Sequence, residues 1–223
     1  MYGIVGEISF FEAFFKVHYT KGFRLSYPIP LPTSVAGIFG ALLGISREKI
    51  KEEFENFYLG AKLINLGKEN FENSTFIQIG KKFDNWPPGV VPTQFFTDPT
   101  YQIVIAHEDI LKIEEIFRQL NKGFKFLPYG GQNDFFVKDI KILGIEKVEM
   151  SDVIENYAPR NWIEKTEVAP DKDSFLTILP VMHQISDEPF YFGYKIKLFL
   201  KKKIPTVNNI GLYELSKFYY PTQ

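Results

Sequence analysis

The chain has 223 residues, of which 45% are hydrophobic and 24% charged, and this ordinary globular composition excludes a disordered or fibrous protein. It contains no cysteine, which excludes disulfides, thiolate nucleophiles, zinc fingers and iron–sulfur clusters and favours a cytoplasmic location. The formal net charge of −1 argues against a protein that finds nucleic acid through a strong overall positive field.

The first part of the chain is predicted to form a strand, an extended segment and a helix. The β-branched and aromatic residues of 4–17 predict the strand. Prolines alternate through 27–32, which excludes a helix interior and predicts an extended path. The helix is expected over 35–45, with Thr33 or Ser34 as its N-cap. This longest apolar run is far shorter than the roughly 20 residues that span a bilayer, so we expect no membrane segment.

Breaker residues interrupt the middle of the chain. We predict a second helix over 47–57 and strands over 59–66 and 74–80, with a turn at 67–70 between the strands. Segment 81–98 contains a tryptophan and several prolines, which are too many breakers for a central strand and too much apolar content for a simple linker. It is therefore predicted to be an excursion from the main sheet.

The elements that follow complete an alternating order. Residues 101–106 alternate like a strand, and apolar residues recur at helical spacing in 107–120. Strand-like residues return in 135–150. Residues 1–150 are therefore predicted to follow the order β-α-β-β-α-β, which is the order of a ferredoxin-like (RRM-like) domain.

The last part of the chain, residues 151–223, is predicted to be smaller and β-rich. Strand-like runs lie at 174–182 and 190–200, and no helix of consequence is expected. This part should form a smaller sheet that packs against residues 1–150. The predicted fold class is α+β, with two structural parts.

The sequence lacks the usual motifs of metal and nucleotide chemistry. His18, His107 and His183 are far apart and do not form a metal-ligand spacing such as HExxH. There is no Walker A sequence, no dinucleotide-binding GxGxxG and no GxSxG nucleophile elbow. We therefore expect neither a metal nor a cofactor.

One cluster permits a catalytic alternative. Metal-free RNA cleavage needs a base for the 2′-hydroxyl, an acid for the leaving 5′ oxygen and a cation for the phosphorane, and His18, Tyr19 and Lys21 have the chemistry for these roles. The competing interpretation is that three such residues follow the first strand by chance. A metal-independent endoribonuclease therefore stays open as an alternative to a protein that only binds.

Three segments carry a resemblance to a known family. The run 27–44 resembles the N-terminal signature of CRISPR-associated protein family five, with a proline-rich approach, a Thr-Ser pair and a glycine-punctuated apolar helix that ends in Leu-Gly. Segment 95–103 looks like the strand lead-in of that family, with its Pro and Tyr. Segment 126–133, here named the glycine loop, looks like the glycine loop after the second helix of the family. The resemblance covers about the first 150 residues.

The resemblance implies both a fold and a function. It implies the RRM-like ferredoxin fold of the repeat-associated mysterious protein superfamily, with residues 1–150 as the RNA-binding domain and a thumb-like protrusion at 81–98. It implies a subunit of a type I Cascade complex, similar to the type I-A and I-B members, that holds the 5′ handle of crRNA for antiviral defence. The partners would be crRNA, the backbone subunit and the large subunit, with target DNA bound only indirectly. The family usually does not cleave RNA, although its type I-C branch processes pre-crRNA.

Residue chemistry agrees with an RNA-binding role. The expected helix start at Thr33 and Ser34 presents N–H groups and a positive dipole end to a phosphate. The glycine pair of the glycine loop permits close backbone approach, and the Gln and Asn after it can read base edges of a single strand. A structural module with protein contacts alone is the competing interpretation, and it suits the neutral charge. The predicted RNA contacts are Lys16, Lys21, Arg24, Tyr27, Thr33, Ser34, Lys81, Lys82, Trp86, Gly130, Gly131, Gln132 and Asn133.

Overall fold

The fold is an α+β arrangement of antiparallel strands with a few helices. A computed structural model describes residues 1–18, 20, 22–76, 89–169 and 173–219. The strands are β1 (Tyr2–Phe10), β2 (Glu12–Ala13), β3 (Phe15–Lys16), β4 (Ser26–Tyr27), β5 (Tyr58–Asn65), β6 (Lys68–Phe76), β7 (Gly89–Thr97), β8 (Thr100–His107), β9 (Val137–Lys147), β10 (Glu149–Ile154), β11 (Tyr157–Pro159), β12 (Ile163–Val168), β13 (Phe175–Leu179), β14 (Phe190–Tyr194), β15 (Ile196–Val207), β16 (Ile210–Gly211) and β17 (Tyr213–Glu214). The helices are α1 (Pro32–Leu43), α2 (Ile50–Phe54) and α3 (Ile110–Lys122), with 3₁₀ turns at Arg160–Trp162 and Leu215–Phe218.

The largest sheet has five antiparallel strands in the order β17-β5-β8-β1-β9. Strand β1 lies between β8 and β9 and pairs with both, so that Ile8 lies opposite Tyr101 and Ile140. Ile4 and Ile8 of β1 belong to the main hydrophobic core, whereas Val5 belongs to a second, smaller cluster. Since successive side chains of a strand point to opposite faces, β1 is covered on both of its faces.

The C-terminal strands form two smaller sheets: β10-β15-β12, in which β16 also pairs with β15, and β11-β14-β13. The predicted strand at 174–182 corresponds to β13, and the predicted strand at 190–200 is divided into β14 and β15. Lys195 lies between β14 and β15 with a positive φ of 54°, which interrupts the strand. The main core contains residues from both parts of the chain, and β17 adds a fifth strand to the large sheet.

Helix α1 begins earlier than the sequence pattern indicates. Its N-cap is Leu31 and its first residue is Pro32, so the prediction that Thr33 or Ser34 caps the helix is wrong. Proline favours the first helical position because its fixed φ suits the helix and it has no N–H to satisfy. The helix ends at Gly44, which adopts a left-handed φ of 77° and accommodates the chain reversal. None of the helices in the described part of the chain is long and apolar enough to cross a membrane.

The other two helices also differ from their predicted bounds. Helix α2 covers Ile50–Phe54, which is shorter than the predicted 47–57. Helix α3 begins at Ile110 because the side chain of Asp109 accepts a hydrogen bond from the Leu111 N–H and so caps it.

Strands β6 and β7 form a long antiparallel pair. This pair covers parts of the predicted turn at 67–70 and of the predicted excursion at 81–98. Strand β6 begins at Lys68, so the predicted turn at 67–70 is confined to Gly67, whose φ is 67°. Strand β7 occupies most of 89–98, where no regular strand was predicted. It tolerates Pro92 because the bridge between Arg24 and Thr93 on that side of β7 uses only the Pro92 carbonyl, which accepts from the Arg24 N–H at 2.9 Å, and needs no N–H from residue 92. Residues 81–88 lie outside the described residues.

Candidate nucleic-acid interface

A cleft of about 720 Å³ lies between α1, the segment after it and the glycine loop, and we name it the α1 cleft. The first two turns of α1 contribute Thr33, Ser34 and Gly37 to it. The glycine loop contributes Gly131 and Asn133, together with aromatic side chains described below. The structure therefore brings together two segments that are about 100 residues apart in the sequence and that were separately predicted to contact RNA.

The first turn of α1 leaves a hydrogen-bond donor at the α1 cleft. The Leu31 carbonyl accepts from the N–H groups of Ser34 at 2.9 Å and Val35 at 3.0 Å, and Pro32 has no N–H. The Thr33 N–H has no acceptor among the described residues. Because the N-terminal end of a helix also carries the positive end of its dipole, this wall of the cleft favours an anionic group.

Gly37 provides open space on the same wall. A Cβ atom placed at Gly37 would have no heavy atom within 4 Å, whereas one placed at Gly40 would lie 3.0 Å from the Ile50 side chain. Gly40 is therefore explained by packing of α1 on α2. Packing does not require the glycine at Gly37, which lines the α1 cleft.

The glycine pair of the glycine loop is required by the protein's own backbone. A Cβ at Gly130 would lie 2.5 Å from the carbonyl oxygen of Glu12, and one at Gly131 would lie 2.0 Å from that of Phe14. The Phe14 N–H also donates to the Gly130 carbonyl at 2.6 Å. These glycines were predicted to allow close approach of the backbone to RNA. In the structure, close approach of the segment after β1 already requires glycine at both positions. Gly130 is buried, and Gly131 remains exposed at the cleft.

The glycine loop also presents aromatic rings that sequence reasoning missed. Two backbone hydrogen bonds fix its start to the end of α1, from Lys125 N–H to the Leu42 carbonyl and from Phe126 N–H to the Ala41 carbonyl. Phe126 is 66% exposed and Tyr129 is 50% exposed, and both line the α1 cleft. Exposed rings at a cleft that also holds hydrogen-bonding groups can stack on bases. Sequence analysis could have selected Phe126 and Tyr129 because they lie in the glycine loop, one of the segments that resemble the family.

Arg47 supplies positive charge to the α1 cleft. It is exposed, it lies between α1 and α2, and it is the charged residue among those that line the cleft. The sequence analysis did not select it, because a single arginine after a predicted helix has no distinguishing local pattern.

Lys16 lies on β3, and Arg24 lies just before β4, where it forms an isolated bridge with Thr93 of β7. Lys16 is exposed and follows Phe15, whose side chain lines the α1 cleft. The guanidinium of Arg24 lies 4.9 Å from the ring centroid of Phe14, the residue that bonds to the glycine loop. This cation–π contact holds Arg24 close to the loop.

Tyr27 and Gln132 differ from their predicted roles. Tyr27 is only 2% exposed, its hydroxyl donates to the Pro180 carbonyl at 2.6 Å, and its ring stacks on Phe192. It is therefore a core residue in this fold, and we remove it from the proposed RNA surface. Gln132 is partly buried and does not line the α1 cleft.

Several predicted residues cannot be placed. Lys21, Lys81, Lys82 and Trp86 lie outside the described residues. Tyr19 of the alternative catalytic cluster also lies outside them, and His18 of that cluster is exposed. Within the described ranges, no three His, Asp or Glu side chains are grouped so that they could hold a metal ion.

The fold is similar to that of solved CRISPR proteins. A solved chain described as part of a CRISPR RNA-guided surveillance complex matches with a TM-score of 0.52 and 14% sequence identity, over 92% of this chain and 91% of that chain. The chain has the fold of a CRISPR surveillance-complex protein. A CRISPR protein from Archaeoglobus fulgidus also matches, with a TM-score of 0.44 and 15% identity over 96% of this chain and 99% of that chain. No protein-family model and no curated protein matches the sequence.

Proposed function

We propose that this chain is the non-catalytic subunit of a type I CRISPR Cascade complex that binds the 5′ handle of crRNA in the α1 cleft. The observation that carries the proposal is the composition of this one cleft. It combines the free Thr33 N–H, the exposed rings of Phe126 and Tyr129, and the charge of Arg47. Single-stranded RNA is bound by such groups, since donors hold phosphates, rings stack on bases and amides such as that of Asn133 read base edges.

The order of the strands supports the ferredoxin-like (RRM-like) part of the proposal. From one side to the other, four strands of the large sheet follow as β9, β1, β8 and β5, with α1 after β1 and α3 after β8 in the chain. This is the order that a β-α-β-β-α-β unit adopts when each helix connects two strands that are not neighbours in the sheet. Residues 1–150 would be the RNA-binding domain, and residues 151–223 its β-rich C-terminal companion.

The hairpin of β6 and β7 suits the thumb of this proposal. Each strand has nine residues, so the paired arms extend roughly 30 Å at the usual rise of a strand. The second arm, Gly89–Thr97, lies within the predicted thumb at 81–98, whose residues 81–88 are outside the described residues.

The neutral charge supports a subunit that binds RNA together with partners. A net charge of −1 supplies little long-range attraction for a polyanion. The proposed backbone and large subunits would share the neutralisation of crRNA phosphates, and contact with target DNA would be indirect. We expect weak handle binding by the isolated chain and much tighter binding in the assembled complex.

Arg47→Ala tests the proposal most simply. In the complex assembled with its co-expressed subunits, we expect this variant to weaken binding of labelled handle RNA several-fold. The salt slope should fall by about 0.7, because one phosphate is no longer neutralised. Fluorescence anisotropy over a salt series measures both. Arg118→Ala is the matched control, because Arg118 is exposed on α3, pairs with Glu115 and does not line the cleft.

Two results would contradict the proposal. Equal affinity and salt slope for Arg47→Ala and the unmodified chain would remove the α1 cleft as the RNA site. Cleavage of repeat RNA in EDTA that His18→Ala abolishes would instead support the metal-independent endoribonuclease.

A further inference from the structure

The middle of β15 carries three consecutive lysines, Lys201–Lys203, in an irregular segment that we name the lysine bulge. On one side, Ser151 of β10 pairs with Ile204 of β15, and Val153 pairs with Phe199. Between these two pairs, β15 has four residues and β10 has only one. On the other side, the pairing with β12 ends at Leu200. The lysine bulge therefore has no regular ladder partner on either side.

This bulge exposes all three lysines together. In a regular strand successive side chains point to opposite faces, so one of three neighbours would point into the core. Here all three are exposed, whereas Leu200 and Ile204 on either side are buried. A bulge redirects side chains in this way. Three positive charges therefore reach the solvent from one short segment, and Lys201 and Lys202 both lie beside the turn Arg160–Trp162.

No ion pair with a described residue neutralises the positive charge of the lysine bulge. Asp152 and Glu164 lie on the flanking strands, and neither forms an ion pair with the bulge. The Lys201 ammonium donates to the backbone carbonyl of Asn161 at 3.0 Å, and the Lys202 ammonium lies 3.3 Å from the ring centroid of Trp162. Both interactions hold a lysine in place without cancelling its charge.

The rings beside the lysine bulge are already covered. Trp162 has Lys202 over it and stacks on Tyr213. Phe199 has the Lys165 ammonium 4.4 Å from its ring centroid. A surface for single-stranded nucleic acid needs open ring faces for its bases, and on each of these two rings a lysine ammonium already occupies one face. Lysines alone contact phosphates and carry no sequence information.

We propose that the lysine bulge binds the phosphate backbone of a nucleic-acid duplex, independently of sequence. This site shares no residue with the α1 cleft. It extends the proposed function with a second, direct and sequence-independent contact to a duplex, whereas the target DNA sequence would still be read only indirectly, through crRNA. A duplex suits it because regularly spaced phosphates on an outer surface can be reached by side chains on a projecting bulge.

The test compares two triple variants of the full-length chain. We expect Lys201→Gln/Lys202→Gln/Lys203→Gln to weaken binding of a labelled random-sequence DNA duplex at least tenfold at low salt. The slope of log affinity against log salt should become shallower by roughly 0.9 for each phosphate that the variant no longer neutralises. The control is Lys112→Gln/Lys122→Gln/Lys147→Gln, three exposed lysines without ion pairs whose replacement gives the same net charge. It should keep the original affinity and slope.

A charge-preserving variant separates charge from local structure. Lys201→Arg/Lys202→Arg/Lys203→Arg should bind the duplex as the unmodified chain does. The proposal is overturned if the unmodified chain does not bind the duplex at low salt, if both Gln variants bind it equally, or if only single-stranded DNA binding is lost. If both Gln variants bind the duplex equally, the remaining candidate partner of the lysine bulge is an acidic protein surface. None of these results depends on Arg47 or on handle RNA, so failure of either proposal can be recognised separately.

Discussion

Two buried tyrosines differ in what their hydroxyl groups contact. The Tyr27 hydroxyl donates to the Pro180 carbonyl. The Tyr101 hydroxyl is buried without a hydrogen-bond partner among the described residues, and its burial raises the pKa of that hydroxyl. A buried hydroxyl without a partner costs free energy, because it loses its hydrogen bonds to water on folding.

Removing each hydroxyl should therefore have a different effect on stability. We expect Tyr101→Phe to leave the free energy of unfolding unchanged or to raise it by up to about 1 kcal/mol. Tyr27→Phe should lower it by about 1–2 kcal/mol, since the Pro180 carbonyl also loses its donor. Urea denaturation followed by circular dichroism measures both. A larger loss from Tyr101→Phe than from Tyr27→Phe would contradict this account.

At the same scale, sequence alone could not assign Tyr27 or the glycine pair. A tyrosine that stacks on Phe192 and one that stacks on a base have the same local sequence signal. Gly130 and Gly131 were predicted to let the backbone approach RNA, whereas the group that lies close to them in the structure is the backbone of Glu12 and Phe14. That backbone is more than 100 residues away in the sequence, so no local pattern identifies it.

At the scale of the element, α1 contains two glycines whose surroundings differ. Gly37→Ala should raise the free energy of unfolding by about 1 kcal/mol, because alanine favours a helix and its Cβ meets open space. Gly40→Ala should gain less or lose stability, because its Cβ would lie 3.0 Å from Ile50. Thermal or urea unfolding compares the two.

Gly37→Glu extends this prediction to function. The longer side chain would enter the α1 cleft and place a negative charge where the proposed RNA phosphates lie. We expect a loss of handle RNA affinity of at least tenfold in the assembled complex, while Gly37→Ala retains most of the affinity. Full affinity for Gly37→Glu in a folded complex would show that RNA does not use this wall of the cleft.

The elements that sequence predicted well are those with local causes. The apolar run of α1 and the helical spacing of α3 identified both helices, although the Leu31 cap was missed because Pro32 rather than Thr33 opens the helix. Strand β7 was missed because the prolines of segment 81–98 argue against a strand there. Its existence depends on pairing with β6, which local propensity does not report.

At the scale of the whole molecule, the candidate site is assembled from three separate segments: the start of α1, Arg47 and the glycine loop. Sequence analysis selected the first and the third as separate candidates. It could not show that they face each other, because their proximity depends on hydrogen bonds such as that from Phe126 N–H to the Ala41 carbonyl. Arg47 and the exposed rings became recognisable only when the cleft was defined.

The most direct test of the central claim is photocrosslinking of the assembled complex with crRNA that carries 4-thiouridine in its 5′ handle. Trypsin cleaves after Lys125 and Lys138, which isolates the glycine loop in the peptide 126–138. We predict an RNA adduct on this peptide, at Phe126 or Tyr129, and its loss in Gly37→Glu. Handle adducts confined to other subunits, or to parts of this chain outside the α1 cleft, would contradict the claim that this cleft holds the handle.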